Sequence, residues 1–543
     1  MFPGAVPRSF LGSLILAWTS LPIIHLMRYF DAVSSKADML ISVRLTLATL
    51  NAVGLCVLRR TVSKRFGFRT GAFFTALSCS QFHLPFWMGR TLPNTFALFP
   101  VNIAYSYLLG RMPNSTRPSQ DFIIKAVALL TFTAVIFRAE ILLLLGPLVL
   151  QALLTRWISF TVVANTGILV ASFSILLTVF VDSYFWSKWP LWPELHSLYF
   201  NVYQGKSADW GVSPFHTYVT SLLPKLLLSN TPLAALGLLI DGRIRSLLVS
   251  PISFIALISC LEHKEWRFIV YTVPIFTVAA ARGASWMSVE DFTYYYSSPI
   301  ECCIAANLLV TFVMTQVSMT NYPGGEALSY FNELFEGTPS VHVHIDNLAA
   351  QTGASLFLQV HAPPYPSFLP VPSRSDWVYN KTEHVKAADV TAARHFTHAI
   401  TEHADEFPRS KWSNVGCVKG FDGIDNAEWA RAGRQKQWLG SGNPTSHVDA
   451  GYNPYAEALP PLPPPANLTT RKKKKKSAQS LKRTANGMAS KCLGANPSAV
   501  QPFRTSATGC AEHTSCSRRP STTSEALQVF TSGRVAWSTI KEA

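Results

Sequence analysis

About eleven apolar stretches crowd the first 320 residues, near 10–30, 38–58, 70–88, 95–110, 121–137, 140–156, 159–181, 218–240, 246–262, 268–285 and 299–319. Several approach the ~20 residues that an α-helix needs to span a bilayer, and others are shorter or interrupted by proline. Lipid offers no partner to backbone N–H and C=O groups, so such stretches must be helices. None alternates with the period of two that a membrane β-strand would show. Charged residues make up 14% of the chain, against about 25% in a soluble domain. The fold class expected is therefore an all-α polytopic membrane protein of about ten to eleven membrane helices, with a small lumenal α/β region toward the C-terminus.

The formal charge of +16 does not indicate nucleic-acid binding, because it is concentrated at one end. From Arg471 onward there are 14 Lys/Arg and 3 Asp/Glu, a surplus of 11, which leaves +5 for the other 470 residues. Basic loops set the expected orientation. Arg59, Arg60, Lys64, Arg65 and Arg69 share one loop, Arg243 and Arg245 another, and Arg111 and Arg117 flank a third. These are placed in the cytoplasm. The loops at 89–94, 138–140, 182–217 and 263–267, and the chain beyond 320, then face the opposite side. Full crossing by 10–30 would upset this parity, so that segment is read as re-entrant or interfacial. Three divisions follow: 1–320 for the membrane helices, 321–460 for a soluble unit that includes the apolar run Ala354–Val360, and 461–543 for a basic low-complexity tail. The Pro-rich Leu459–Pro465 marks the second boundary. The composition of 470–543 predicts disorder, with Arg471–Lys476 a solvated charge block or an anionic-lipid patch.

Four clusters could carry chemistry. His263-Lys264-Glu265-Trp266-Arg267-Phe268 puts four ionisable groups into five positions at a membrane edge. It reads either as a self-neutralising helix end or as an anion site, with Lys264 and Arg267 on a phosphate and Glu265 orienting them. Arg90 and Asn94 flank the helix-breaking Pro93; Arg90 either snorkels to the interface or faces a polar cavity. Arg138 and Glu140 interrupt a long apolar run, as an internal ion pair or as part of a site. The loop from Asp182 carries Trp186, Trp189, Trp192 and Glu194, and continues to Trp210 and Pro214. Its rings suit a membrane interface or the face of a sugar. Asn380-Lys381-Thr382 and Asn467-Leu468-Thr469 are glycosylation sequons in the part placed outside the cytoplasm; Asn114-Ser115-Thr116 falls within it. The cysteines in apolar runs read as small packing residues, and His342 and His344 read as structural residues of a strand. No zinc spacing, Walker loop, serine elbow or dinucleotide fingerprint occurs, and no metal is expected.

Together these strings resemble the dolichyl-phosphate-mannose-dependent mannosyltransferases (glycosyltransferase family 22, GT-C fold). His263–Phe268 resembles the His-Lys-Glu-x-Arg-Phe signature of that family. Phe2–Arg8, Gln81–His83, Arg90–Asn94, Phe137–Glu140, Val181–Trp186, Trp210–Pro214, Asn321–Gly325, His344–Asp346 and Ala350–Gly353 follow in order. More narrowly they resemble the branch that adds an α-1,6-linked mannose to a lipid-linked seven-mannose oligosaccharide. The resemblance implies an endoplasmic-reticulum membrane enzyme with its site facing the lumen. Its donor would be dolichyl-phosphate mannose, its acceptor the lipid-linked oligosaccharide, and it would use no cofactor. His263, Lys264, Glu265, Arg267, Arg90, Asn94, Arg138, Glu140, Asp182 and Trp210 would bind substrate. In the family a first helix and most of a first lumenal loop, bearing the acids favoured as catalytic base, precede the Phe-Pro-Gly string. Here Met1 stands almost at that string, so the chain is expected to be shortened relative to the family and no base is assigned. Three rival readings remain: a mannosyltransferase of GPI-anchor assembly, a non-catalytic form, and a transporter. The last would show internal helix repeats, and none is evident.

Overall fold

The computed structural model describes residues 6–112, 115, 117–207, 211–288, 299–366, 369, 376–383, 385–393 and 395–420, together with the backbone of 535–542. Trp210, the sequons at Asn114 and Asn467, and the run Arg471–Lys476 lie outside the described residues.

Helices dominate. In chain order they are α1 (Leu11–Tyr29), α2 (Lys36–Phe66), α3 (Phe68–Ser80), α4 (His83–Trp87), α5 (Pro93–Leu109), α6 (Gln120–Ile136), α7 (Ile141–Leu154), α8 (Phe160–Trp186), α9 (Pro193–Leu198), α10 (Leu223–Leu227), α11 (Asn230–Ile240), α12 (Gly242–Ile258), α13 (Val273–Met287) and α14 (Pro299–Met319). Local chemistry explains several starts. Ser35 and Asp38 form a reciprocal capping box ahead of α2. Proline stands in the first turn of α5, α9 and α13, where its missing N–H costs no helical bond.

Every apolar stretch found in the sequence falls on helix, and several of these helices have the length of a membrane span. Among the described residues four helices, α1, α2, α8 and α14, are long and apolar enough to cross. The pair Tyr218–Leu227 and Asn230–Ile240, bent by 105°, makes five if it counts as one span. The others stop at 17 residues or fewer; 95–110, 121–137 and 140–156 are already that short in the sequence, and 70–88 and 218–240 are each split by a turn. Of the two readings of 10–30, the re-entrant one does not fit α1, which is one unbroken helix of 19 residues.

The core of this helical part is close packed, most tightly where α11 crosses α13. A Cβ on Gly237 would lie 2.0 Å from the carbonyl oxygen of Ala279, and one on Gly283 would lie 2.3 Å from that of Leu233. Small residues let helix backbones touch in this way. Neither obstacle is a side chain that can turn aside. Gly283→Val is therefore expected to destabilise the fold by more than the ~1–3 kcal/mol usual for overpacking, read as a lowered thermal midpoint in detergent.

Charge separates toward two ends. Arg243 donates to the carbonyl of Arg65 and stacks on Phe66, and Asp241 binds both Arg243 and Arg282. The loops read as cytoplasmic thus gather at one end. The other end holds Arg90, Asn94, Arg138, Glu140, Glu194 and Arg267.

After α14 come α15 (Pro323–Leu334), α16 (Asn347–Gln351) and α17 (Ala387–Ala392), with strands β1 (His342–Ile345), β2 (Val378–Asn380), β3 (His398–Thr401), β4 (Trp412–Gly420) and β5 (Val535–Glu542). The sheet order is β2-β1-β3-β5-β4. β1 runs parallel to β2 and β3, and β5 pairs antiparallel with β3 and β4. Ala327, Leu328 and Phe331 of α15 bury Val343 and Ile345. Ala354–Val360 forms a short 3-10 turn, Leu356–Leu358, in place of a regular element. β5 lies in the span expected to be disordered. Its Val-Ala-Trp-Ser-Thr-Ile run suits a strand. The strings Asn321–Gly325 and Ala350–Gly353 meet here backbone to backbone. Gly325 N–H donates to the Thr352 carbonyl at 3.1 Å, and a Cβ on Gly324 would lie 2.2 Å from the Ala349 oxygen.

Candidate functional site

Four helix breaks form the polar end. α6 ends at Ile136 ahead of Arg138 and Glu140; α4 and α5 are parted by Met88–Leu92; α8 ends at Trp186 ahead of α9; and α12 ends at Ile258 ahead of His263–Phe268. Trp266–Phe268 and Val270–Thr272 are 3-10 turns that lead into α13.

Asn94 joins three of these breaks. Its side-chain amide donates to the Arg267 carbonyl at 3.1 Å, to Glu140 Oε1 at 3.3 Å, and to the Tyr271 hydroxyl. Tyr271 in turn donates to Glu140 Oε1 at 3.1 Å. The same oxygen accepts Arg138 Nε at 2.7 Å, with the two side chains only 11% and 13% exposed. Arg138 and Glu140 thus form an internal ion pair that is also part of the polar cluster. The guanidinium of Arg138 stands 5.5 Å from the Phe268 ring.

Glu194 extends the network. Its Oε2 accepts the Ala139 N–H at 2.8 Å, and its Oε1 lies 3.7 Å from Arg8 Nη1. Arg8 is held in turn, because its carbonyl accepts the Trp186 indole N–H at 3.0 Å. Next to it, Phe10 N–H donates to Asp182 Oδ1 at 2.6 Å, and Phe10 stacks on Phe185. Thr178 donates its hydroxyl to Asp182. Asp182 is fully buried, so its carboxylate ties the chain start to α8 and does not stand open to a ligand.

The signature turn divides its charges. Lys264 is buried, and its ammonium donates to the carbonyls of Ser213 and Leu261. The Ser213 N–H donates to the Glu262 carbonyl at 2.9 Å, so Lys264 fastens the long aromatic loop to the turn. Glu265 bridges His263 Nε2 at 2.9 Å and the Arg267 guanidinium. Burial raises the proton affinity of Glu265, but the hydrogen bonds and charge of His263 and Arg267 outweigh it and hold the group below the usual carboxylate range. Arg267 keeps 39% of its side chain exposed, and with Asn94, Trp87 and Trp266 it lines a narrow cleft. Arg90 stands beside this cleft, its guanidinium over the rings of Phe86, Trp87 and Tyr322. Among these cations Arg267 is best placed to meet an incoming anion.

Glu194 was legible only as one polar residue in an aromatic loop, and Tyr271 and Arg8 were not singled out for chemistry. Nothing in a sequence marks an acid as buried. The one available signal was Pro193, which sets Glu194 in the first turn of α9. Burial raises the Glu194 carboxyl to about 7, helped by the nearby Glu140 and opposed by Arg138 and Arg8. A carboxyl raised above its unfolded value binds more protons folded than unfolded between about 4.5 and 7, so its share of stability falls as pH rises through that window. Glu194→Gln is expected to flatten the fall in thermal midpoint between pH 5 and pH 8, with the variant gaining on the wild type at pH 8. Parallel curves for the two proteins would contradict the assignment.

Apolar helices over 300 residues and an ion-paired polar cluster at one end of them define a multi-pass membrane protein with a candidate site at one end of its helices. The chain belongs to the Alg9-like mannosyltransferase family, whose profile matches residues 8–370. It is similar to the Dol-P-Man:Man(7)GlcNAc(2)-PP-Dol alpha-1,6-mannosyltransferase of Drosophila melanogaster, at 35% identity over 76% of this chain and 58% of the relative. The protein of that name from Arabidopsis thaliana is 34% identical over 74% of this chain and 77% of the relative. The chain thus spans less than two thirds of the fruit-fly relative's length. Proteins of GPI mannosyltransferase name match more weakly and over about a third of the chain; the GPI alpha-1,2-mannosyltransferase 3 of Danio rerio is 28% identical over 36%. Among solved structures, ArnT from Cupriavidus metallidurans is similar at 13% identity and a TM-score of 0.41, over 60% of this chain and 62% of that one. That likeness is too distant to bear on fold or ligand.

Proposed function

We propose that the chain transfers mannose from dolichyl-phosphate mannose to the lipid-linked seven-mannose oligosaccharide, forming an α-1,6 linkage in N-glycan precursor assembly. The observation that carries this reading is Arg267, half-exposed beside a cleft at the polar end and steadied by Glu265, in a chain of the Alg9-like mannosyltransferase family. The long matches to relatives of that named activity favour it over GPI-anchor assembly, for which the matches are partial.

In this reading the protein has the GT-C architecture and sits in the endoplasmic-reticulum membrane. Its basic end faces the cytoplasm, by the charge rule for loops. Its polar cluster and C-terminal sheet face the lumen. Arg267 meets the phosphate of the donor, where the leaving dolichyl phosphate gains charge. Asn94, Arg138, Glu140 and Tyr271 hold the turn that presents it. Lys264 and Glu265 set its geometry, and the aromatic loop shapes the sugar pocket. A carboxylate takes the proton of the acceptor hydroxyl in a single inverting displacement. The donor carries an activated sugar, so the scheme calls for no metal or cofactor.

The test is transfer by the purified chain, supplied with labelled dolichyl-phosphate mannose and either the lipid-linked seven-mannose oligosaccharide or a GPI precursor. The expected product is the eight-mannose lipid, with the new sugar released by an α-1,6-specific mannosidase. Label in the GPI precursor alone would transfer the reading to the other pathway.

A further inference from the structure

The C-terminal sheet contains a second cleft of about 300 Å³, lined by His344, Asp346, Lys386, Thr401, His403 and Glu406 among others. Its position follows from the topology. The chain leaves β1 toward β2 on one side, and leaves β3 toward β4 on the other. β1 and β3 are parallel neighbours, so the segments that follow them diverge and open a crevice at their carboxyl ends. That is where α/β sheets bind ligands. Asp346 immediately follows β1, while Thr401 ends β3 and His403 and Glu406 lie just beyond it.

Side chains support the same conclusion. His344 is only 3% exposed, lines the cleft, and has no hydrogen-bond partner on Nδ1 among the described residues. A buried polar atom left unpaired is costly, and a turn of the ring toward the cleft would bring it to a ligand hydroxyl. Burial lowers the proton affinity of the His344 ring, so it is neutral at physiological pH and offers one donor and one acceptor. Asp346 receives the Thr401 hydroxyl at 3.0 Å. Phe407, Val385 and Val390 supply an apolar wall. Two carboxylates against one lysine disfavour an anion. Carboxylates, hydroxyl and imidazole beside an aromatic ring suit a neutral polyol.

We propose that this cleft is a glycan-binding subsite that takes a neutral hexose, namely a mannose on an outer arm of the acceptor oligosaccharide. The choice of glycan rests on the function proposed above; the polyol chemistry of the cleft does not. The subsite would recognise the acceptor by an arm that does not react, and would leave the donor untouched.

The experiment uses the full chain in nanodiscs, with free seven-mannose oligosaccharide as the probe and the variants His344→Gln and Glu406→Gln. Glu333→Gln, on the exposed face of α15 and away from the cleft, is the control. Expected is saccharide binding that weakens at least tenfold in both cleft variants, with thermal midpoints unchanged. In transfer assays the KM for the acceptor should rise by a similar factor, while the KM for the donor and kcat hold. Glu406→Gln removes an exposed-side group, so it reports even if His344→Gln fails to fold. Transfer with an unchanged acceptor KM would overturn the subsite and leave the proposed function standing. Saccharide binding lost in the cleft variants, in a chain that transfers no mannose, would uphold the subsite and overturn the function.

Discussion

Replacing Arg267 by alanine is expected to lower mannose transfer by about 10²–10³-fold, the usual effect of removing one group that meets developing charge, with little change in stability. Both halves follow from its position. Its side chain is 39% exposed and, among the described charged groups, is paired with the neighbouring Glu265, so the fold loses little when it goes. Its carbonyl, which Asn94 grips, stays in the variant and keeps the turn in place. Lys264 provides the contrast. Its ammonium is taken up by two loop carbonyls, so Lys264→Ala should lower transfer and loosen the loop together. Transfer assays beside thermal unfolding of the same preparations separate the two. An Arg267→Ala protein with near-normal transfer would remove the residue from the donor site.

Glu140→Ala is expected to cost about 3–5 kcal/mol of stability, because it leaves Arg138 buried without its partner. The loss extends further, since Asn94 and Tyr271 also give hydrogen bonds to Glu140 Oε1. The double variant Glu140→Leu with Arg138→Leu should recover much of that stability, because a well-packed apolar pair can replace a buried ion pair. It should not recover transfer, since the cluster that steadies Arg267 is gone. A single variant as stable as the wild type would mean that Arg138 finds another anion, and Glu194 is the nearest candidate.

Much of this was legible in the sequence. The ordered strings reported real contacts: Phe2–Arg8 leads into the segment that packs on Val181–Trp186, Arg90–Asn94 grips the signature turn, and Asn321–Gly325 meets Ala350–Gly353. Arg138 and Glu140 stood out because charge in an apolar run needs a partner. Three things were hidden. Breaks inside the stretches 70–88 and 218–240 were hidden, because hydropathy windows do not register where a turn ends the backbone ladder. The role of each charge was undetermined, since Lys264 and Arg267 sit three residues apart and only the fold shows one spent on carbonyls and the other half-exposed. Burial of Glu194 was invisible, because it depends on α9 closing against the Ala139 turn. The cleft between β1 and β3 escaped for a related reason: His344 read as structural, and its buried, unpaired Nδ1 shows only in three dimensions.

The most direct test of the central claim is the lipid-linked glycan profile of cells that lack this α-1,6-mannosyltransferase activity, after expression of the chain as it stands. The account predicts that the seven-mannose intermediate disappears and that the eight-mannose and larger species return. Persistence of the intermediate, with the protein stable in the endoplasmic-reticulum membrane, would contradict it.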